Sequence, residues 1–434
     1  MKFGGYKMLI LAACVVVSCS MQVLDDHIKG QNDLEFLAKL KYQDFFDASF
    51  TLDYQLLLSY RSIERKLEEG IVLRDYYNVL ALLESYLGNY YLSIETTDKA
   101  RLQPTEMITF HDDGTTSKSN FYPEAAYSSF PDSIIRANYL KKEFDDLLEN
   151  LSDSIQVFAL NEAHTVSLFR STLYRSLPLL KKKGFTYLVL ETLFEEKTAE
   201  HNSSSYPLRN SGFFSSETLM GDIIRKAKEL DFTLISYDPQ IREQSKQERE
   251  EMAFKNIENR ILKKDPNAKI VLYAGHSHIS ETPIGRINPL GVKFLELGID
   301  PLTINQIDYY ERNVPGDIQQ PLIFQLNSTR QIEKNRYDVL LVQPKSSPEN
   351  GRPDWLWKMN RIPVKIDKKK IKTTSEPFLI EAFIKGESKD GVPLDRVEIR
   401  NKEKLPSLAL RSGIYLIRIT SKTNEVKEYE IEVK

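Results

Sequence analysis

The chain has 434 residues, of which 41% are hydrophobic and 28% are charged. This composition allows a packed core and excludes a wholly disordered chain, and the length leaves room for two or three domains. The formal net charge is -3. A chain with this balance lacks the basic excess that nucleic-acid binding requires, so we expect no nucleic-acid partner.

The N-terminus has the pattern of a bacterial lipoprotein signal. Lysines precede an apolar run from Met8 to Val17, which is much shorter than the ~20 residues of a membrane-spanning helix. The run ends in Val16-Val17-Ser18-Cys19, which resembles a lipobox. We therefore predict that residues 1–18 are a signal peptide that is removed. The alternative is an ordinary secretory signal that is cleaved a few residues later.

The two cysteines of the chain, Cys14 and Cys19, both lie in this N-terminal segment. A mature chain that begins at Cys19 has no intrachain disulfide, so its stability has to come from core packing. We expect Cys19 to carry lipid, palmitate included, and to anchor the chain to a membrane through a polar tether over residues 19–32. The residue after Cys19 is a serine. By similarity to lipoproteins of bacteria with two membranes, we expect the protein to be anchored in the cell envelope, at the outer membrane.

Apolar residues at helical spacing predict a helical segment over residues 33–150. Leu56, Leu57 and Tyr60 follow this spacing, and an amphipathic stretch runs from Asp75 to Tyr91. Within the segment, residues 103–133 are rich in Pro, Gly, Ser and Thr and are expected to form a loop. A helix is expected after it, from about residue 134 to 149.

From residue 151 onward, short apolar runs alternate with helical patterns. The predicted strands are Ile155–Leu160, Phe185–Leu190, Phe232–Tyr237, Lys269–Ala274, Val292–Leu297 and Tyr337–Val342. The predicted helices span residues 166–183, 216–230 and 242–264. Such alternation predicts an α/β domain over residues 151–345 with a mainly parallel sheet. The apolar character of the strands indicates that helices cover both faces of the sheet.

The C-terminal part of the chain has a different pattern. Pro, Ser, Asn and Gly between residues 344 and 354 indicate a linker, which we place at residues 346–376. Alternating segments then predict strands over residues 378–384, 395–399, 413–420 and 425–433. Helical periodicity is absent here, so residues 377–434 are predicted to be a small β-sandwich that serves as an accessory domain.

Acidic and imidazole side chains follow the predicted parallel strands where each strand ends. They are Glu162 and His164 after the first strand, Glu191 after the second, Asp238 after the third, and His276 and His278, with Glu281 close behind, after the fourth. In open parallel sheets, ligands bind in the crevice beyond the carboxyl ends of the strands. We therefore expect one shared site there.

The histidines strengthen this expectation. The chain has six, and three of them lie at these strand ends, whereas His27, His111 and His201 lie in the predicted tether or in loops. Histidine exchanges protons near neutral pH and is the commonest metal ligand. A carboxylate–imidazole group suits general acid–base chemistry at an acyl or phosphoryl centre.

The order of several short motifs resembles the superfamily of erythromycin esterase-like, ChaN-like and TraB/TIKI-type proteins. The motifs are Asn161-Glu162-Ala163-His164, a helix with Arg170 or Arg175, Gly184-Phe185, Glu191, Arg249-Glu250-Glu251-Met252-Ala253-Phe254-Lys255-Asn256 and Gly275-His276-Ser277-His278. Asn161 stands where those families have glycine, and the Glu162–His164 spacing is shorter than in macrolide esterases. Both differences argue against erythromycin itself as the substrate.

The resemblance implies a hydrolase of ester or peptide bonds whose catalytic residues are Glu162, His164, Glu191, His276 and His278, assisted by an arginine. Arg170 is our choice over Arg175, because it lies nearer the rim of the sheet. The TIKI-type branch implies a divalent metal, for which Glu162, His164 and His278 are the candidate ligands. The ChaN-like branch implies the alternative of a lipoprotein that binds haem or another ligand, to which Tyr273 could contribute.

Overall fold

The computed structural model describes residues 71–103, 105–110, 116–121, 139–239, 245–311, 318–326, 336–372 and 374–434, together with Tyr54, Leu58 and Val314. The predicted signal peptide, Cys19 and the tether lie outside these residues. His27 and His111 also lie outside them. The predictions for these parts therefore stay predictions.

The N-terminal part contains helices and, against expectation, strands. Its elements are α1 (Ile71–Tyr86), α2 (Tyr90–Leu102), β1 (Thr105–Phe110), β2 (Thr116–Phe121), β3 (Tyr139–Glu143) and α3 (Phe144–Glu149). The loop predicted over residues 103–133 is wrong where β1 and β2 pair as an antiparallel hairpin. The helix predicted from residue 134 is wrong over β3, because this strand pairs with a distant part of the chain that no local pattern contains.

The central part alternates strands and helices as predicted. Its elements are β4 (Val157–Glu162), α4 (Leu168–Lys182), β5 (Tyr187–Leu190), α5 (Thr198–Ser203), α6 (Thr218–Glu229), β6 (Thr233–Ser236), α7 (Lys246–Ile257), β7 (Ile270–Gly275), α8 (Leu290–Glu296), β8 (Leu302–Asn305), β9 (Leu322–Leu326) and β10 (Val339–Val342). The short apolar segments become strands because both of their faces are covered by helices.

The strands of this part and β3 form one eight-stranded sheet with the order β3-β9-β10-β8-β4-β7-β5-β6. The six strands from β10 to β6 are parallel, whereas β9 runs antiparallel to both of its neighbours. The α/β fold with a mainly parallel sheet flanked by helices is therefore confirmed. Strand β7 lies between β4 and β5, which brings three strand ends side by side.

One predicted strand, Val292–Leu297, is wrong, because residues 292–296 belong to the helix α8 and Leu297 is its C-terminal cap. Leu290 and Phe294 are both fully buried, and a spacing of four residues places them on one helical face. Gly298 follows the helix with a φ of 81°, a conformation that commonly ends helices. An apolar run of this length does not distinguish strand from helix by itself.

The C-terminal part is built from strands, as predicted. Its elements are β11 (Pro348–Glu349), β12 (Arg352–Pro353), a 3₁₀ helix (Asp354–Met359), β13 (Ile362–Val364), α9 (Lys368–Ile371), β14 (Phe378–Ile384), β15 (Asp395–Ile399), β16 (Leu408–Leu410), β17 (Gly413–Ser421) and β18 (Val426–Val433). Four of the strands form an antiparallel sheet with the order β15-β14-β17-β18.

The expected linker over residues 346–376 is instead packed structure. Trp355, Leu356 and Met359 are buried in the same apolar core as the helices of the central part. The polar composition of residues 344–354 suggested a linker, but the buried residues that follow hold this segment against the rest of the protein. Arg361 and Asp222 also form a buried ion pair, 2.8 Å between Nη2 and Oδ2, which ties this segment to α6.

The two faces of the central sheet are covered differently. Phe158 and Leu160 of β4 belong to the large core shared with α1, α2, α4 and α6, whereas Val157 and Ala159 face the core formed with α7 and α8. Side chains alternate along a strand, so Glu162 points to the same side as Phe158 and Leu160. None of the described helices is both long and apolar enough to span a membrane.

Candidate functional site

Three neighbouring strands deliver the centre of the candidate site. Glu162 ends β4, Gly275 ends β7, and Glu191 follows β5 directly. Adjacent strands lie about 4.8 Å apart, so the two glutamates stand on either side of the glycine. Glu162 and Glu191 are both buried, as expected for side chains in the crevice at the carboxyl ends of parallel strands.

His164 bridges the two glutamates across the glycine. Its Nδ1 lies 2.8 Å from Oε1 of Glu162, and its Nε2 lies 3.8 Å from Oε2 of Glu191. A carboxylate can only accept, so Nδ1 carries a proton, and in the neutral tautomer the lone pair is on Nε2. The ring also stacks on Phe214, with centroids 4.4 Å apart, which fixes its plane.

Arg170 binds the carboxylate of Glu162 through its guanidinium. Its Nε donates to Oε2 of Glu162 at 3.0 Å, and its Nη1 donates to Oε2 of Glu217 at 2.9 Å. The guanidinium is fully buried in the first turn of α4. Arg175 lies away from the site and pairs with Asp145 at the surface. The structure thus places Arg170, the arginine we chose, in the group.

Electrostatics keep Glu162 ionised. Burial raises its pKa, but the charge of Arg170 and the contact with His164 outweigh burial and lower it to about 2. Tyr273 adds a hydrogen bond from its hydroxyl to Oε2, at 2.8 Å. Glu162 is therefore a fixed anion that can orient the imidazole and stabilise its protonated form.

Glu191 is the centre of a second group of ionic side chains. Its Oε1 accepts from Nη2 of Arg249 at 2.8 Å, and its Oε2 accepts from the backbone N of Gly275 at 2.6 Å. Arg249 also donates from Nε to Oδ1 of Asp238 at 2.7 Å. Although burial raises the pKa of Glu191, His278 and the other cations lower it well below its usual range.

The local sequence explains how Arg249 reaches this group. Ser245 and Glu248 form a capping box at the start of α7, a signature readable from the sequence. The cap fixes where the helix begins and leaves Arg249 in its first turn, where it faces the ends of β5 and β6.

His278 lies between two carboxylates. Its Nδ1 forms an ion pair with Glu250, and its Nε2 lies 3.5 Å from Oε1 of Glu191. Burial lowers the pKa of His278, but the charges of Glu250 and Glu191 outweigh burial and raise it to about 10. The ring is therefore an imidazolium at neutral pH, which makes it a source of positive charge and not a base.

His276 is the exposed imidazole of the site. Its ring centroid lies 5.9 Å from that of His164, and its φ of 42° is uncommon for a residue with a side chain. Asn161 stabilises this conformation, because its Nδ2 donates to the carbonyl oxygen of His276 at 2.9 Å. Asn161 thus positions the loop that carries His276.

The space between the two groups is small. A cavity of about 10 Å³ is lined by Glu162, His164, Glu191 and Gly275, with Phe214 and Tyr273 among its other neighbours. This is about the volume that one water molecule needs. The candidate site therefore has room for a small nucleophile beside Nε2 of His164, whereas a larger molecule has to be held outside this cavity.

The candidate metal ligands do not form a metal site. Glu162 already accepts hydrogen bonds from His164, Arg170 and Tyr273, and His278 is held between Glu250 and Glu191. In the described part of the chain, no three His, Cys, Asp or Glu side chains are arranged to hold a metal ion. The donors therefore do not fit the divalent metal that the resemblance implied.

The haem alternative gains no support from Tyr273, the residue we considered for it. Its hydroxyl is buried and donates to Glu162, and burial raises its pKa well above 10. A tyrosine that ligates iron has to present a phenolate oxygen to the metal. Tyr273 instead forms a hydrogen bond with the carboxylate of Glu162.

Sequence reasoning missed several members of the site and misplaced one. Glu217 and Phe214 lie in no motif that the sequence singled out. Glu250 lies in the motif Arg249–Asn256, but it was not predicted as a site residue. Glu281 lies apart from the site, where it accepts a hydrogen bond from Thr303. Asp238 joins the site through Arg249. The contacts thus bring together the predicted Glu162, His164, Arg170, Glu191, His276 and His278.

Comparison with known proteins returned no match. Neither the protein-family models nor the curated proteins nor the solved structures that we searched match this chain. The function has to be argued from the geometry of the site.

Proposed function

We propose that this protein hydrolyses esters, with Glu162 and His164 as the pair that activates water. The observation that carries the proposal is the 2.8 Å contact between Oε1 of Glu162 and Nδ1 of His164. It leaves Nε2 as the proton acceptor at the edge of a cavity of about 10 Å³. The resemblance to the erythromycin esterase-like superfamily supports the same assignment.

In the proposed reaction, a water molecule in this cavity gives a proton to Nε2 of His164 while its oxygen attacks the acyl carbon of the ester. The imidazolium that forms is stabilised by the anion of Glu162. The tetrahedral intermediate then collapses, and the bond to the leaving oxygen breaks. The alkoxide takes the proton back from Nε2, which restores the neutral ring and releases acid and alcohol.

Positive charge near the cavity would stabilise the oxyanion of the intermediate. Arg249 and the imidazolium of His278 lie on the Glu191 side, with Nη1 and Nε2 3.4 Å apart. His276 lies on the exposed side and is placed to contact the substrate. Arg170 is fully buried, so it positions Glu162 and does not touch the substrate.

Esters fit this site better than peptides do. A peptide has a poor leaving group, and hydrolases commonly cleave it with a metal ion or a covalent nucleophile. The described carboxylates and imidazoles do not form a metal site. The described lining of the cavity beside Nε2 contains no serine or cysteine, and its one threonine, Thr192, accepts a hydrogen bond from the backbone N of Phe214. An ester leaving group departs more easily, so a water activated by an imidazole is sufficient.

The test is hydrolysis of phenyl acetate by the purified protein and by His164→Gln and Glu162→Gln. We expect His164→Gln to lower kcat by at least about a hundredfold, the usual contribution of a general base. Arg175→Gln, a change on the same helix outside the site, is the control and should leave turnover unaltered. Turnover that survives His164→Gln would show that the proposed base is wrong.

We also propose that Cys19 is lipidated and holds the protein at the outer membrane of the cell envelope. The support is the lipobox-like Val16-Val17-Ser18-Cys19 after an apolar run. Labelling cells with palmitate tests this proposal, because the wild type should incorporate label and partition with membranes. Cys19→Ala should do neither, and equal labelling of both proteins would refute the anchor.

The finer architecture of the C-terminal part is likewise our proposal: a small β-sandwich that acts as an accessory unit. In support, β13 and β16 form a second small sheet, whose Leu408 and Leu410 share a core with Ile380 and Ile417 of the four-stranded sheet. Two sheets with a common core are the arrangement of a sandwich.

A further inference from the structure

We infer that a cleft beside His276 binds the non-reacting part of the substrate, and that this part is an uncharged aromatic group. This inference rests on the proposed ester hydrolysis. The cleft has a volume of about 470 Å³ and lies between the segment that follows β8 and the segment that leads into β10. Sites for small molecules commonly have volumes of about 300–1,000 Å³.

The cavity at the reactive imidazole is too small for an ester. The cavity at His164 has a volume of about 10 Å³, which accommodates a water molecule and excludes the body of any ester. The acyl carbon has to approach from the open side of the site, where His276 is exposed. The rest of the substrate therefore has to lie beyond this histidine.

The cleft adjoins the reactive site through His276. His276 lines the cleft, and its ring is 5.9 Å from the ring of His164. Asn305, another residue of the lining, accepts a hydrogen bond from Nδ2 of Asn161 at 3.0 Å, and the same Asn161 holds the backbone of His276. Asn161 thus joins the wall of the cleft to the backbone of His276, whose ring lies beside the reactive imidazole of His164.

Part of the lining of the cleft is apolar or aromatic. Ile307, Tyr309, Tyr337 and Leu340 are partly exposed, and each packs from one side against a buried core. Partly exposed apolar and aromatic side chains around a cleft favour an apolar ligand, and aromatic rings prefer aromatic partners at offset or edge geometry.

The charges of the cleft argue for a ligand without charge. Asp308 already accepts a hydrogen bond from Nδ2 of Asn305 at 2.7 Å, and Arg336 and Asp338 bring opposite charges to the same rim. The described lining thus carries two carboxylates and one guanidinium, so a carboxylate on the substrate gains no net attraction there.

The experiment measures binding and turnover separately. Binding of naphthylacetamide, which is not an ester, is followed by calorimetry, and hydrolysis of naphthyl acetate is followed by absorbance. We expect the wild type to bind the amide. Leu340→Trp and Ile307→Trp, which fill the cleft with a larger side chain, should weaken binding by at least about tenfold. Thermal unfolding identifies a variant that fails to fold, and the second variant then carries the test.

The matched control is Leu297→Trp, the same change at an exposed leucine on the far end of α8, which should leave the affinity unaltered. Naphthyl hemisuccinate, which carries a carboxylate, should be hydrolysed at least about tenfold less efficiently than naphthyl acetate. Undiminished affinity in a folded Leu340→Trp variant, or no binding by the wild type, overturns the inference.

The two readouts separate the inference from the proposed function. His164→Gln should bind the amide and fail to hydrolyse the ester. A wild type that binds the amide and hydrolyses no ester would leave the cleft standing and overturn the hydrolase. A wild type that hydrolyses phenyl acetate and does not bind the amide would overturn the cleft alone.

Discussion

A methyl group placed on Gly275 would lie 2.5 Å from Nε2 of His164. It would also lie 2.9 Å from Oε2 of Glu191. Because Gly275 has no side chain, the imidazole of His164 can lie between Glu162 at the end of β4 and Glu191 after β5. The glycine donates its backbone N–H to Glu191 as well. Gly275 thus allows His164 and Glu191, which flank the cavity, to approach each other.

Gly275→Ala should lower ester turnover by about a hundredfold, because a displacement of about 1 Å is enough to misalign a catalytic group. The measurement is kcat/KM for phenyl acetate together with thermal unfolding. Gly285→Ala is the matched control, since no atom lies within 4 Å of its added methyl group, while its φ of +61° makes alanine strained. It should lose stability and keep turnover. Similar turnover in both variants would contradict the steric account.

Arg170→Lys and Arg175→Lys form a matched pair on one helix. Lysine carries its three donors on one atom and cannot reproduce the four hydrogen bonds that the guanidinium gives to Glu162, Glu217 and the His164 carbonyl. A buried carboxylate left without its partner costs about 3–5 kcal/mol. The exposed pair of Arg175 with Asp145 contributes about 1 kcal/mol or less. Urea denaturation should show a large decrease in the free energy of unfolding for Arg170→Lys only. Equal decreases would mean that the buried network does not carry the stability assigned to it.

Acid should destabilise the protein through Glu162. The pKa of this carboxyl is lowered from 4.5 to about 2 in the folded protein, so its anion contributes stability above the unfolded pKa. That contribution is lost as the pH falls from about 4.5 towards 2. Glu162→Gln should flatten the decrease in unfolding free energy over this range, whereas Glu149→Gln, at an exposed site, should retain it. An unchanged slope in Glu162→Gln would show that another group is responsible.

His278 should titrate far above the usual range for histidine. Its folded pKa is raised to about 10, so its charge contributes stability below pH 6.5, and this contribution is lost as the pH rises through about 10. Imidazole NMR should show a protonated ring at neutral pH. Glu250→Gln should lower this pKa by about 1–3 units, and Glu251→Gln, its exposed neighbour on α7, should not. A ring already neutral at pH 8 in the wild type would refute the assignment.

Chelators should not lower ester hydrolysis. The oxygens of Glu162 are occupied by Arg170, His164 and Tyr273, so no bound ion is expected to supply the positive charge of the site. The measurement is turnover of phenyl acetate after dialysis against EDTA, and again after addition of zinc. Loss on dialysis and recovery on addition of zinc would favour the metal-assisted mechanism that the resemblance to TIKI-type proteins implied.

Local patterns predicted the strands and helices in which buried residues recur at a regular spacing. The four strands that precede the polar residues of the site are present with ends displaced by a few residues, and so are the helices between them. Strands β3, β8 and β9 of this sheet were missed. β3 pairs with β9, β9 also pairs with β10, and β8 lies between β4 and β10, and such sequence-distant pairing leaves no local signal. The run Val292–Leu297 failed because its length is compatible with either structure.

The sequence by itself determined which side chains meet at the rim, because parallel strands end on the same side and Glu162, His164, Glu191, His276 and His278 follow such ends. Only the tertiary structure decided their charges and roles. His164 and His278 each lie between two carboxylates, yet His164 lines the small cavity, whereas Glu250 and Glu191 raise the pKa of His278. Partners such as Glu217 and Glu250 come from helices packed over the sheet, and packing between elements is not encoded in the spacing of any one of them.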